Sequence, residues 1–453
     1  MKMNRGFDKD GYIEIFDIVN SYPDAWCFLV WSARGGSDGA GKTYSTLKWL
    51  MLNRKKFIFI KRTNKDVNFL CAGNKKKTSK GYKNVDNSPF SPINRDFKTN
   101  IKPLQFDDGY GAFYNCSDDD EPIGEPIGYI LSLNLAKDIK GFDLSDADFL
   151  VFDEFIPQRF ERLHNRREDE ALLSIYKTVD RDRRKKGRDK LIMICTANAS
   201  DISNPVFNVL EVINDVATMN TEITEIKYLK SRGILLWSLF WDVNMEKLDG
   251  LDKAMIGTKW FDANVKGGFA YNDFSNVIPK YSIKGMKCRF RLDVGSRSYY
   301  YYYNDNGMGY FGSQKSNKYD RIYNLDKDND VSAFYRDVVL DIAYKTSYNK
   351  IKYCDYASYD LIINYKKYYK VWGVEMETLI LVVGNIVVGI IALLGTVYSS
   401  QIKKSTDLVN FRIEALEKKI DKQDTIEKEM ILLKEQFKTA LEDIKDIQDQ
   451  LKF

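Results

Sequence analysis

The chain has 453 residues, with 69 Lys and Arg against 64 Asp and Glu, a formal net charge of +5 and 44% hydrophobic residues. That length suggests about two to three domains, and the apolar content is enough to bury a core, which excludes a wholly disordered chain. A single histidine, His164, excludes histidine-based catalysis and multi-histidine metal sites, and six scattered cysteines with no C-x-x-C pair indicate neither a zinc site nor a disulfide framework.

Residues 1–20 read as a short polar lead-in without a signal-peptide pattern, so a reducing, cytosolic compartment is expected. Residues 25–31 form an apolar run that reads as a buried strand. Gly36, Ser37, Asp38, Gly39, Ala40, Gly41, Lys42 and Thr43 follow it as an unbroken G-x-x-x-x-G-K-[ST], and residues 44–50 then read as a helix. Glycines let the loop curl until its N–H groups face phosphate oxygens, and the helix N-terminus adds partial positive charge. Gly36, Gly39, Ala40 and Gly41 are expected to cradle the phosphates of ATP. Lys42 reaches the β- and γ-phosphates, and the Thr43 hydroxyl ligates Mg²⁺.

Residues 57–60 read as a second strand. Residues 71–100 are rich in Lys, Asn and Ser and read as a loop or insertion, with Lys75, Lys76 and Lys77 either solvated or in contact with nucleic acid. Weakly alternating strands are expected over 104–116, and an acidic turn over 117–121. Residues 149–152 are apolar and end at Asp153 and Glu154, the strand that completes a phosphate-loop hydrolase. Asp153 supports the metal and Glu154 polarises the attacking water. A helix over 168–179 leads into a basic run from Arg181 to Lys190. This is either a solvated helix end, or the source of an arginine that reaches a neighbouring subunit's nucleotide. The next strand, 191–196, carries Asn198 at its end, placed to sense the γ-phosphate. The fold class is therefore α/β, a P-loop NTPase of the ASCE type over 1–220.

From 221 to 373 the texture is that of a smaller α+β domain. Tyr299, Tyr300, Tyr301, Tyr302 and Tyr303 read as a half-buried strand, with a base-stacking surface as the alternative. Residues 378–398 carry no charge and are long enough to span a bilayer, within a membrane segment of 376–400. Apolar steps of three and four over 401–453 read as a coiled coil. The tail has a net charge of −2 and residues 1–375 one of +7. Lys403 and Lys404 place the tail's C-terminus in the cytosol. That would leave the ATPase part outside, where an ATP-dependent motor does not work. Met376 is a candidate initiator, so two adjacent reading frames joined into one are an open reading.

Ala33, Arg34, Gly35, Gly41, Lys42 and Thr43, the run 57–62, the run 151–156 and Ala197, Asn198, Ala199, Asn204 and Pro205 together resemble the DNA-packaging ATPases of small protein-primed podophages, the salasvirus type. The resemblance is specific over about 25–62 and 148–206. It implies a homopentameric ring at the portal of a prohead, pumping double-stranded DNA in the host cytoplasm, in some members with a packaging RNA. It also implies an RNase H-like, nuclease-inactive domain at 221–373. Arg181, just after Lys177, Thr178, Val179 and Asp180, matches the arginine that acts in trans. The family's loop has an arginine where this chain has Asp38, and the nearest arginine here is Arg34, so no arginine role inside the loop carries over. Residues 376–453 resemble the small XhlA-like, holin-associated membrane proteins of phage lysis cassettes. Two other functions stay open: a membrane-anchored lysis or structural protein, and a terminase-like motor with nuclease activity, which needs a cluster of acidic residues on strand ends in 280–370, where Asp293 and Asp305 stand without completing such a set.

Overall fold

The computed structural model describes residues 6, 12–32, 40–72, 74–78, 81–85, 88–158, 161, 167–239, 248–266, 268–369, 371 and 438, with 74–78 and 81–85 described as backbone. Two compact units divide the chain, Met1–Val371 and Trp372–Phe453. The expected membrane helix at 376–400 and coiled coil at 401–453 lie outside the described residues. Among the described residues no helix is long and apolar enough to cross a membrane.

In the first unit the strands up to residue 239 are β1 (Cys27–Ser32), β2 (Phe57–Lys61), β3 (Asn74–Thr78), β4 (Gly81–Val85), β5 (Ile101–Asp107), β6 (Tyr110–Cys116), β7 (Pro122–Ser132), β8 (Phe149–Asp153), β9 (Ile192–Asn198), β10 (Ile226–Leu229) and β11 (Ile234–Leu239). Nine of them make one sheet in the order β10-β11-β1-β9-β8-β2-β7-β6-β5. The strands from β11 to β7 run parallel, while β10 at one edge and β6 and β5 at the other are antiparallel. Central parallel strands are covered on both faces, so they read as continuous apolar runs. Phe149 to Phe152 of β8 and Phe28 to Trp31 of β1 are all buried accordingly.

Alternation still sorts the two faces. Phe28 and Val30 of β1, Phe57 and Phe59 of β2, Phe149 and Val151 of β8 and Ile194 of β9 share one core cluster. Helices α1 (Ile15–Ser21) and α2 (Lys42–Leu52) supply Phe16, Leu47 and Leu50 to it. Trp31 of β1 falls on the opposite face, where its ring meets Phe207 at 5.4 Å.

Two expectations need correction. The boundary at residue 220 would cut off β10 and β11, yet β11 pairs with β1 along its whole length, so the sheet runs on to Leu239. Residues 71–100 are not simply a loop. Helix α3 (Asn64–Cys71) ends there, β3 and β4 pair as an antiparallel ribbon, and α4 (Ser91–Phe97) follows. Lysines and asparagines hide the ribbon because they carry little strand propensity. Buried Phe90 and Ile93 anchor α4, with Phe90 edge-on to Phe113 at 4.9 Å.

A second, mixed sheet is built from β12 (Lys287–Val294), β13 (Arg297–Tyr303), β14 (Gly309–Gly312), β15 (Arg321–Asn324) and β16 (Ile351–Tyr353), in the order β15-β12-β13-β14-β16. It is an antiparallel meander with one parallel strand at each edge. Tyr299, Tyr300, Tyr301 and Tyr302 are each no more than 5% exposed. The tyrosine run is thus a strand buried on both faces, and those four rings offer no surface for stacking bases. Tyr299 and Tyr301 pack on Phe311, whereas Tyr300 and Tyr302 join Tyr310.

The basic run after residue 180 also divides. Helix α5 (Glu168–Lys185) extends past the expected 179 and buries Leu172, Ile175 and Val179. Arg183 is 2% exposed; it donates to the carbonyls of Ala147 and Asp189 and pairs with Asp148 at 3.0 Å. It therefore ties the end of α5 to the start of β8. Arg181 is about half exposed and, among the described residues, pairs with its neighbour Asp182, at 3.0 Å. Arg183→Ala is expected to cost about 3 kcal/mol, because it orphans buried carbonyls and a carboxylate. Arg181→Ala is expected to stay within about 0.5 kcal/mol of the wild type. Urea unfolding midpoints of the two variants check this contrast.

Candidate active site

The candidate side chains share one face of the sheet, in two adjacent rows at the ends of the parallel strands. Register pairs Ser32 with Asn198 and Asp153 with Thr196, and it places Lys61 one step beyond the pair of Ile60 with Phe152. Four of them lie two residues past an apolar residue of the face that α2 covers: Val30 before Ser32, Phe59 before Lys61, Val151 before Asp153, Ile194 before Thr196; Asn198 continues that face two residues beyond Thr196. Helix α2 therefore lies over that face and starts beside the strand ends.

Gly36 and Gly39, together with Arg34 and Asp38, lie outside the described residues. Ala40 is buried, and its carbonyl accepts from the Ile13 N–H at 3.2 Å. Gly41 caps α2 with φ +66°, and a Cβ there would come 3.1 Å from Cδ1 of Tyr12. Left-handed backbone and a crowded approach both require glycine. Lys42 opens the helix and points back at the strand ends. Its Nζ donates to Ser32 Oγ at 2.5 Å and to Asn198 Oδ1 at 3.2 Å. The lysine and asparagine expected at the phosphates are thus in contact.

Asp153 Oδ1 accepts from the hydroxyls of Thr43 at 2.8 Å and Thr196 at 2.9 Å, while Oδ2 takes Lys61 Nζ at 2.9 Å. Burial opposes the charge of Asp153, but Lys61 and the two hydroxyls outweigh it and hold the carboxyl below its ordinary range. Burial likewise opposes the charge on Lys61, and the carboxylates of Asp153 and Glu154 outweigh it, keeping its pKa raised. Thr43 and Asp153 bring hard oxygens together at hydrogen-bonding distance, a donor set that suits Mg²⁺.

Glu154 departs from the strand. It has φ +61°, left-handed for a residue with a side chain, and that side chain is 63% exposed. Its carboxylate lies 3.6 Å from Lys61 Nζ. Glu154, Asp153, Lys61 and Asn198 line a cavity of about 850 Å³ that Phe69, Trp260 and Tyr271 also line. Beneath the turn sits Arg62. Its guanidinium donates to the carbonyls of Glu154 at 3.0 Å and Phe155 at 3.3 Å, and to Glu161 at 3.1 Å. It also pairs with Glu168 at 2.9 Å. Burial pushes the Glu168 carboxyl up to about 6, against the pull of Arg62.

The structure thus brings Lys42, Thr43, Asp153 and Asn198 into mutual contact, directly or through Thr196 and Ser32, with Glu154 alongside. Arg181 is not among them. Arg62 and Glu168 meet near the start of α5, whereas Arg183 fixes its other end to the residues before β8. An 18-residue helix is about 27 Å long. Arg181 therefore stands at the opposite end of β8 from the site of its own chain. Ser32, Lys61, Thr196 and Arg62 were not singled out from sequence. The first three carry a usable signal, a polar residue in phase with a buried strand face.

Lys42 supplies a pH test. Burial lowers its pKa to about 8, against the pull of Asp153 and Glu154. An anion raises that value on binding, so binding draws a proton from solvent above about pH 8. ATP affinity is expected to fall by up to about tenfold per pH unit above 8. Titration calorimetry in two buffers of different ionisation enthalpy should report proton uptake at pH 8.5 and little at pH 6.5.

No family model matches the chain, and no curated protein matches it. Among solved structures it is similar to a Phi-28 DNA packaging motor at 15% identity, over 77% of this chain and 96% of that one, with a TM-score of 0.45. It is similar to the bacteriophage Phi-29 viral genome packaging motor assembly at 17% identity, over 79% and 99%, with a TM-score of 0.48. It is also similar to the large terminase of a thermophilic bacteriophage at 12% identity, over 75% and 85%, with a TM-score of 0.30.

Proposed function

We propose that this chain is a viral DNA-packaging ATPase that couples ATP hydrolysis to translocation of double-stranded DNA into a prohead. The observation that carries the hydrolase reading is the contact of Lys42 with Asn198 and of Thr43 with Asp153, beside an outward-turned Glu154. Lys42 binds the terminal phosphates. Thr43 and Asp153 hold Mg²⁺, which neutralises phosphate charge when bound. Glu154 polarises the attacking water, and Asn198, already on Lys42, reports the γ-phosphate. The motor reading rests on the motifs at 57–62, 151–156 and 197–205 that resemble packaging ATPases.

Arg181 fits a role in trans. It is exposed, takes no part in the fold's buried network, and is a helix length from its own Glu154. A ring, five-membered by resemblance, lets it complete the site of a neighbour. The second sheet is the domain that the resemblance reads as RNase H-like. Portal, prohead and packaging RNA are the partners this reading assigns, and the host cytoplasm is its place of work.

DNA-stimulated hydrolysis is the test. Lys42→Ala and Glu154→Gln are each expected to lower kcat by about 100-fold or more with the fold retained. Wild-type turnover in either variant would sink the hydrolase reading. Arg181→Ala subunits mixed with Glu154→Gln subunits should regain activity that neither has alone. Some interfaces then combine an intact Glu154 with an intact Arg181. No gain on mixing would count against action in trans.

A further inference from the structure

A second residue beside the site has a geometry that the roles above leave unused. Glu154 must aim its carboxylate out of the strand, and it does so by adopting φ +61°. L-residues rarely hold that conformation unless the surroundings enforce it. Asp153 before it is fixed in the sheet, and the Phe155 N–H after it donates to the Thr196 carbonyl at 3.1 Å. The carbonyls of Glu154 and Phe155 both accept from Nη2 of Arg62. The Arg62 side chain is only 7% exposed, and Glu161 and Glu168 hold its other nitrogens. Glu161 in turn accepts from the Gln158 N–H at 2.9 Å. The guanidinium is thus an anchored fork beneath the turn, and only a planar multi-donor group can serve two carbonyls and two carboxylates together.

We infer that Arg62 is a positioning residue that holds the Glu154 turn in its outward, water-orienting conformation. Its partners among the described residues are Glu154, Phe155, Glu161 and Glu168, and Thr43 and Asp153 are not among them. It acts on hydrolysis through the backbone of Glu154, so the inference rests on the hydrolase reading. Loss of the fork lets the peptide after Glu154 rotate and swings the carboxylate away, while Lys42, Thr43 and Asp153 stay in place.

Arg62→Lys keeps a cation against Glu168 and removes the fork. The expected result is a kcat lowered by 10- to 100-fold with KM for ATP changed less than about threefold. In a Glu154→Gln background the same substitution should change the residual rate by less than about twofold, since both act through one group. A purely structural role predicts losses in KM and in both backgrounds. Should Arg62→Lys fail to fold, Arg62→Gln combined with Glu168→Gln removes the buried charge mismatch and gives the same readout. A folded variant that turns over at the wild-type kcat, or one whose loss is equal in both backgrounds, overturns the inference. Wild-type activity and its loss in Lys42→Ala are measured alongside, so failure of the hydrolase reading is seen separately.

Discussion

The site depends on keeping the Asp153 carboxylate ionised while it is buried. Taking a carboxylate out of water costs several kcal/mol unless charge and hydrogen bonds replace the lost hydration. Here both oxygens are met: Thr43 and Thr196 serve one, Lys61 the other. These partners come from α2, β9 and β2, three separate elements. The carboxylate therefore pins the start of α2 to the middle of the sheet. Lys42 adds a second pin to Ser32 and Asn198 at the ends of β1 and β9. The placement of the start of α2 against the strand ends follows from these two sets of contacts.

Much of this was legible in the chain. Strand-end polar residues two positions past a buried apolar residue fall on the same face, since side chains alternate with period two. Applied to 149–153, 192–198, 57–61 and 27–32, that rule places Asp153, Thr196, Lys61 and Ser32 on one face from the sequence alone, with Asn198 two residues beyond Thr196. What it cannot supply is lateral order. That β8 and β9 lie between β1 and β2 is a fact of crossover topology, and the contact of Thr196 with Asp153 depends on it. Nor does any local pattern reveal Arg62, whose partners lie 92 to 106 residues away.

Composition misled where burial decides. Arg181 and Arg183 are two residues apart in one basic run, yet Arg183 is a buried tie and Arg181 an exposed cation. A helix turns about 100° per residue, so positions two apart lie on different faces. The tyrosine run behaves in the opposite way. Alternation on β13 should leave one face open, but both are covered. Tyr281 stacks on Tyr310, the neighbour of Tyr300 and Tyr302, while Phe311 meets Tyr299 and Tyr301. Aromatic rings buried on both faces make this sheet a core element.

Consecutive cations at the end of β2 divide two tasks. Lys61 delivers a compact point charge to a carboxylate side chain, and the competing burial cost falls on a single ammonium. Arg62 delivers directional donors to backbone carbonyls one residue further along. An exchange of the two would satisfy neither. Lysine cannot span two carbonyls and two carboxylates, and a guanidinium in place of Lys61 would force a planar fork between Asp153 and Glu154, where a 2.9 Å and a 3.6 Å contact now leave room for one nitrogen. The order lysine then arginine thus gives Asp153 its counter-charge through Lys61 and the Glu154 turn its backbone donors through Arg62. Arg62 bonds the turn and not the residues that hold Lys42 and Thr43, so a change in the turn leaves the contacts of Lys42 with Ser32 and Asn198, and of Thr43 with Asp153, in place.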